Sequence, residues 1–282
     1  MIVTGAGQGL GRAHARALGA AGAHVVVNDV GEAAREVAEQ VTAAGGSAMP
    51  VLADVSSWED SERLVKTAIE WFGHLDALVN NAGIVRDRML VSMGEREWDD
   101  VLRVNLKGHF APLRHAAAHW RELAKAGEEV RARVVNTSSG AGLLGSVGQG
   151  NYAAAKAGVA AMTLVAAAEL GRYGITVNAI APAARTPMTE QVFAEQMKAP
   201  EEGFDAMDPA NVSPLVVWLA SAESGAVSGR VFEVEGDVIG LMDGWQFGPR
   251  ARAGGRWDPA DVGEAVTELL DEAPAAAPVY GA

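Results

Sequence analysis

The chain has 282 residues, a formal net charge of −13 and a sequence pI near 4.9, an acidic balance that argues against nucleic acid or an anionic membrane surface as partner. It contains no cysteine, which excludes disulfide and thiolate chemistry and leaves any redox reaction to a bound cofactor. The length suits one α/β domain with extensions; neither a signal peptide nor an uninterrupted apolar segment of membrane-spanning length is visible, so a cytoplasmic location is expected.

Apolar runs alternate with helical patterns, the signature of a doubly wound parallel sheet with helices on both faces. Ile2-Val3 reads as a short buried strand, and Thr4-Gly5-Ala6-Gly7-Gln8-Gly9-Leu10-Gly11 as the turn into a helix from about Gly11. Glycines there let the backbone approach a pyrophosphate, which then sits on the free N–H groups and positive dipole end of the helix. Gly5, Gln8, Gly9 and Leu10 are therefore candidate cofactor residues. A second strand, His24–Asn28, ends at Asp29, 18 positions after Gly11, where a carboxylate either accepts from a ribose 2′-hydroxyl or caps an ordinary turn. Asp29 repels a 2′-phosphate, and Val30 rather than Arg or Lys follows it, so NAD is expected over NADP.

Further strands are predicted near Ala48–Ala53, Ala77–Asn80, Val134–Thr137, Thr176–Ile180 and Arg230–Val234, about seven in all, with helices from about Glu32, Ser57, Glu95, Tyr152 and Pro214. The charged stretch Arg121–Arg133 reads as a solvated helix end plus loop, and no element is assigned over Glu195–Ala210. In Asn151-Tyr-Ala-Ala-Ala-Lys156 a phenol and an ammonium lie one helical turn apart on one face. A lysine beside a tyrosine favours the phenolate, which draws the phenol toward neutral pH as a proton donor and acceptor for an alcohol or ketone. From Ala153 to Leu170 the same helix is apolar or small nearly all round; one sheet covers one side only, so a homodimer or homotetramer is expected to cover the rest.

After Val234 the sequence turns irregular, then regains helical spacing at Val262, Val266, Leu269 and Leu270. Residues 1–240 are read as the nucleotide-binding domain and 241–282 as a C-terminal extension. Trp245, Phe247 and Trp257 are read as packing anchors, with the extension either covering the Tyr152 helix or leaving it to a second subunit. The end, Pro274-Ala-Ala-Ala-Pro278-Val-Tyr280, is expected to lie extended on a surface. His115 and His119 have i, i+4 spacing within a segment that also holds His109, but no metal is expected. Arg86, Arg88, Arg250, Arg252 and Arg256 are either solvated surface or local positive potential for a polyanionic substrate.

From Thr4 to about Val234 the ordered motifs resemble the short-chain dehydrogenase/reductase family. They are the Thr-Gly-x-x-x-Gly-x-Gly loop, Asp54-Val55, Asn80-Asn81-Ala82-Gly83, Asn105, Ser139 thirteen positions before Tyr152, and Asn178-Ala-Ile-Ala-Pro182 with Thr186 and Met188. The resemblance implies a Rossmann-type fold and cofactor contacts from Asp54, Val55, Asn81, Ala82, Gly83, Tyr152, Lys156, Pro182 and Thr186. It also implies Tyr152 as proton donor and acceptor, Lys156 on the nicotinamide ribose, Ser139 on the substrate oxygen, and Asn105 holding a water toward Lys156. The alternatives are that Asn105 bonds helix backbone and that Ser139 caps a turn beside Ser138.

Family members usually carry several residues before the position of Met1, so a weakly anchored first strand is expected. Val27–Gly31, Gly83–Arg88, Gly148–Tyr152 and Ser213–Leu219 are similar to the (3R)-hydroxyacyl-CoA dehydrogenase module of multifunctional enzyme type 2, also called 17β-hydroxysteroid dehydrogenase type 4. That likeness implies a 3-hydroxyacyl-CoA or steroid-derived CoA ester, although Ala183-Ala184 lacks the glycine often found after the Pro182 equivalent. A 3-oxoacyl-carrier-protein reductase, normally NADPH-dependent, is the alternative enzyme; a non-catalytic dinucleotide-binding scaffold is the alternative outside catalysis.

Overall fold

Eight strands form one sheet in the order β3-β2-β1-β4-β5-β6-β7-β8. They are β1 (Ile2–Val3), β2 (His24–Asp29), β3 (Ser47–Leu52), β4 (Ala77–Asn80), β5 (Ala132–Thr137), β6 (Ile175–Ala183), β7 (Val231–Glu235) and β8 (Val238–Met242). This computed structural model describes residues 1–190, 197–242 and 244–280, so part of the Glu195–Ala210 stretch lies outside the described residues. The first seven strands are parallel and β8 returns antiparallel to β7. The eighth strand escaped the sequence reading because Val238–Met242 follows β7 after only a Gly236-Asp237 turn, and it spans the boundary expected at 240.

Side chains alternate between the two faces. Val3, Val25, Val27, Val79, Val135 and Ile180 pack under α1 (Gly9–Ala20), α2 (Ala33–Ala43) and α9 (Ser213–Leu219). Ile2, Val26, Leu78, Val134 and Val177 face the opposite core with α3 (Trp58–Phe72), α5 (Gly108–Lys125) and α7 (Gly150–Leu170). Continuous Val/Ile runs, rather than clean alternation with polar residues, follow from burial on both faces. Shorter helices complete the chain: α4 (Glu95–Val101), α6 (Gly140–Leu144), α8 (Pro187–Glu190) and α10 (Val262–Glu272).

Three expectations change. The two-residue β1 is well anchored: Ile2 and Val3 pair with Val26 and Val27 on one side and Leu78 and Val79 on the other, and both side chains are fully buried. Arg133 is no solvated loop residue; it lies buried in β5, with Nε donating to the Ser221 carbonyl at 2.9 Å. The segment Gly150–Tyr173 has the length and apolarity of a membrane span, contrary to the sequence reading, but its inner face packs on β5 and β6. Its apolarity comes largely from alanines, whose small side chains also permit close packing against the sheet.

His14 on α1 is fully buried, with Nδ1 3.0 Å from the Ser213 hydroxyl. Burial pushes its pKa down to about 3, so the folded chain holds it neutral while the unfolded chain protonates it near the ordinary 6.5. Unfolded molecules therefore bind more protons between these values, and stability falls as pH drops through that window. His14→Gln is expected to remove up to about 1.4 kcal/mol per pH unit from this slope. Urea unfolding at a series of pH values between neutrality and 4 is the check; an unchanged slope would show that His14 is not held neutral.

Candidate active site

The carboxyl ends of the central strands open into a cavity of about 590 Å³, within the range of small-molecule sites. At one end, Gly5 and Gly9 take φ of +60° and +52°. A Cβ at Gly5 would stand 2.7 Å from Ala82 Cα, so only glycine permits this approach. The Thr4 hydroxyl accepts from the Asn81 and Ala82 amides at 2.9 and 3.1 Å, and the Asn81 side chain donates to the Thr4 and Gly5 carbonyls. These bonds tie the turn after β1 to the turn after β4. No side chain caps α1 at Gln8 and no acid lies in its first turn, leaving its leading N–H groups and positive dipole for an anion.

Asp29, half-buried at the end of β2, accepts from Gly7 N at 2.9 Å and Gly31 N at 3.2 Å. Two backbone donors leave acceptor capacity on the carboxylate. Asp54 and Val55 line the same cavity as Gln8, Leu10, Gly83, Pro182 and Thr186. Burial raises the Asp54 carboxyl, but the Ser56 hydroxyl and amide together with Arg103 outweigh it and hold the group below its usual range. A glycine cradle, a helix start without a cap and a fixed carboxylate together fit a dinucleotide.

At the other end, α7 carries Tyr152 and Lys156 on one face, with Lys156 Nζ 5.6 Å from the Tyr152 ring centroid. Lys156 is 2 % exposed and donates to the Thr137 carbonyl at 2.7 Å. Ser139 lines the cavity together with Tyr152, and its hydroxyl favours the ionised phenol. Ser139 accepts from Ala141 N at 3.2 Å as the N-cap of α6, the capping role considered from sequence. The neighbouring Ser138 is spoken for: its buried hydroxyl donates to the Lys156 carbonyl at 2.9 Å.

Electrostatics differ from the sequence expectation. Burial pushes Tyr152 up to about 12, the Ser139 hydroxyl opposes this, and Asp87 and Tyr280 add to it. Burial also brings Lys156 down to about 7. Desolvation is thus the leading influence on both groups, and at a pKa of about 12 the phenol holds its proton at neutral pH.

Asn105 sits fully buried within a π-helical turn, Leu102–Lys107, between α4 and α5. Its Nδ2 donates to the Ile84 and Val101 carbonyls at 2.8 and 3.0 Å, and its Oδ1 accepts from Ile84 N at 3.3 Å. These backbone bonds match one of the two alternatives read from sequence and leave Oδ1 a second lone pair. A Cβ at Gly83 would come within 2.6 Å of Asn105 Oδ1 and 3.7 Å of Lys156 Nζ, so the asparagine positions the Gly83 turn beside the lysine.

Two contributions went unread in the sequence. Asn151 Nδ2 donates to the Arg86 and Glu97 carbonyls, both at 3.0 Å, while its Oδ1 takes the Tyr152 amide at 2.7 Å; it holds the start of α7. Tyr280 lines the cavity beside Ser139 and Tyr152, although no periodicity links residue 280 to residue 139. Two of the three histidines sit in separate surroundings: His109 is fully buried and His115 packs edge-on against Trp58 at 4.6 Å. Among the described residues no three His, Asp or Glu side chains group closely enough to hold an ion.

Comparison with known proteins agrees with this geometry. The short chain dehydrogenase family profile matches residues 1–197. The chain is 47% identical over 270 residues to hydroxyacyl-CoA dehydrogenase ChsB1 of Mycobacterium tuberculosis, covering 93% of this chain and 85% of that protein. It is 40% identical over 252 residues to peroxisomal multifunctional enzyme type 2 of Mus musculus, covering 86% of this chain and 32% of that protein. A crystal structure of a short chain dehydrogenase from Mycobacterium avium superimposes with a TM-score of 0.93 at 58% identity, covering 100% of this chain and 97% of that one. With the glycine turn, the Asn-Asn-Ala-Gly turn and the Ser-Tyr-Lys cluster in one cavity, the chain belongs to the short-chain dehydrogenase/reductase family, oxidoreductases that bind NAD or NADP.

Proposed function

We propose that this enzyme is NAD-dependent and interconverts the secondary alcohol and ketone of a 3-hydroxyacyl-CoA or steroid-derived CoA ester. The observation that carries the reaction is the grouping of Ser139, Tyr152 and the buried Lys156, whose Nζ lies 5.6 Å from the Tyr152 ring centroid, in the cavity that Asp29 also lines. The acyl-CoA substrate is supported by the name of the Mycobacterium tuberculosis relative, hydroxyacyl-CoA dehydrogenase ChsB1, and NAD by the carboxylate at Asp29.

Gly5, Gly9 and the start of α1 would hold the pyrophosphate, Asp29 the adenosine ribose hydroxyls, and Lys156 the nicotinamide ribose. When bound, the nicotinamide supplies the hydride acceptor for oxidation or the hydride donor for reduction. Ser139 orients the substrate oxygen and stabilises charge developing on it. In reduction Tyr152, protonated at neutral pH, gives its proton to that oxygen as hydride reaches the carbon. In oxidation the tyrosine must first lose its proton, so alcohol oxidation rises with pH below the phenol pKa. Thr137 holds Lys156 in place, and Asn105 and Asn151 fix the turns on either side.

We also propose a homodimer or homotetramer. Ala155, Val159, Thr163 and Ala166 of α7 are buried inward, whereas Ala161, Leu164, Val165 and Ala168 are exposed. The extension does not cover them with its aromatic residues. Contrary to the reading of packing anchors, Trp245 and Phe247 are almost fully exposed within the chain and Trp257 is partly exposed. A second subunit is the remaining cover, and two-fold closure is its usual form.

Tyr152→Phe is expected to lower turnover by about 10²–10⁴-fold while NADH affinity stays near wild type; stopped-flow turnover with fluorescence titration separates the two, and substantial residual activity would sink the proton path. Wild type should bind NADH at least about tenfold more tightly than NADPH, with Asp29→Ala narrowing the gap by a comparable factor. Tighter NADPH binding by wild type would overturn the cofactor assignment. Light scattering at low micromolar concentration should give a multiple of 29.2 kDa, and Ala161→Glu or Ala168→Glu should dissociate it; a stable wild-type monomer refutes the oligomer.

A further inference from the structure

The C-terminal strap offers a substrate determinant outside the residues assigned above. Beyond α10 the chain runs without helix from Ala273, held extended by its backbone and by Pro274 and Pro278. It ends its described course on α6, the short helix that Ser139 caps. Tyr280 N donates to the Gly145 carbonyl at 2.9 Å, at the far end of that helix. The Tyr280 ring lies over the near end: a Cβ at Gly140 would come within 2.3 Å of Cε2 and 2.4 Å of Cδ2. Gly140 thus forms the seat of the ring, and any larger side chain there would displace it.

The ring borders the reacting site. Tyr280 lines the same cavity as Ser139, Tyr152 and Gln149. Burial, then Glu235 and Glu233 on β7, raise Tyr280 itself, so it presents a neutral aromatic surface. Among the described residues the strap is held on α6 by the Tyr280–Gly145 backbone hydrogen bond and the ring's seat on Gly140.

We propose that Tyr280 forms the substrate-side wall of the catalytic pocket, its ring packing on the carbons next to the reacting carbon and so setting which acyl or ring substituents the enzyme accepts. This rests on the proposed Tyr152–Ser139 reaction centre and adds a specificity residue to it. Neither cofactor binding nor proton transfer passes through Tyr280.

The test uses the full chain with NADH and acetoacetyl-CoA or a longer 3-oxoacyl-CoA. Tyr280→Ala raises KM by about tenfold for the substrate that wild type prefers, the scale of losing a well-packed apolar contact, and leaves NADH affinity unchanged. Tyr280→Phe keeps the wild-type KM. An unchanged KM in Tyr280→Ala, or an equal rise in Tyr280→Phe, overturns the ring as wall. Hydrogen exchange reads the strap without turnover: Tyr280→Ala should speed exchange in residues 140–146 and leave the glycine turn unaffected. Unchanged exchange there overturns the seat on α6, whereas faster exchange in Tyr280→Ala, with wild type inactive on both esters, supports the strap and refutes the acyl-CoA reading alone.

Discussion

The buried ammonium of Lys156 is the constraint on which the reaction centre depends. A charged or chargeable group removed from water must be met by a polar partner, and Lys156 finds one in the Thr137 carbonyl at the end of β5. That bond brings α7 down onto the strand end, where Ser138 completes the contact by donating to the Lys156 carbonyl. Deeper in the sheet, Asn80 donates to Asn136, and Asn136 donates to Thr163 on α7. A run of buried polar bonds therefore crosses from β4 through β5 into the helix. Each satisfied group would be costly to leave without its partner, so the helix has a defined depth and rotation.

Close packing around that helix explains residues of no chemical interest in themselves. A Cβ on Gly142 would stand 2.6 Å from Lys156 Cβ. Gly83 is confined in the same way by Asn105. The π-helical turn places Asn105 where its amide bonds both its own helix and the Ile84 backbone. With the backbone this near, the lysine reaches the cavity while nearly all its surface is covered, and the same cover raises the phenol of Tyr152.

The nucleotide end follows from topology. The strand order reverses between β1 and β4, and in open α/β sheets the crevice for ligands lies at that reversal. Thr4, Gly5, Asn81 and Ala82 join the two strand ends there, so the hydrogen bonds that close the sheet also shape the cradle. Farther out, the fold leaves apolar surface uncovered on α7 and on the antiparallel β8, where Val238, Ile239 and Leu241 are exposed. The extension runs beyond this surface, and its last described residue returns to the reaction centre.

The sequence by itself determined the doubly wound sheet, the glycine turn, Asp29 and the Tyr152–Lys156 pair. These are local in the chain: buried strands are written in runs of Val and Ile, tight turns in glycine, and shared helix faces in a spacing of four. The likeness in motif order also selected Ser139 over Ser138, and the buried bond from Ser138 to the Lys156 carbonyl supplies the physical reason. Tertiary structure alone decided the protonation balance, because the effects of desolvation on Tyr152 and Lys156 depend on elements distant in sequence. It alone gave Asn105 its backbone partners and Asn151 its anchoring role. It left Trp245 and Phe247 exposed and brought Tyr280 to Gly140, since contacts across 140 residues depend on the path of the folded chain and leave no periodic mark on its sequence.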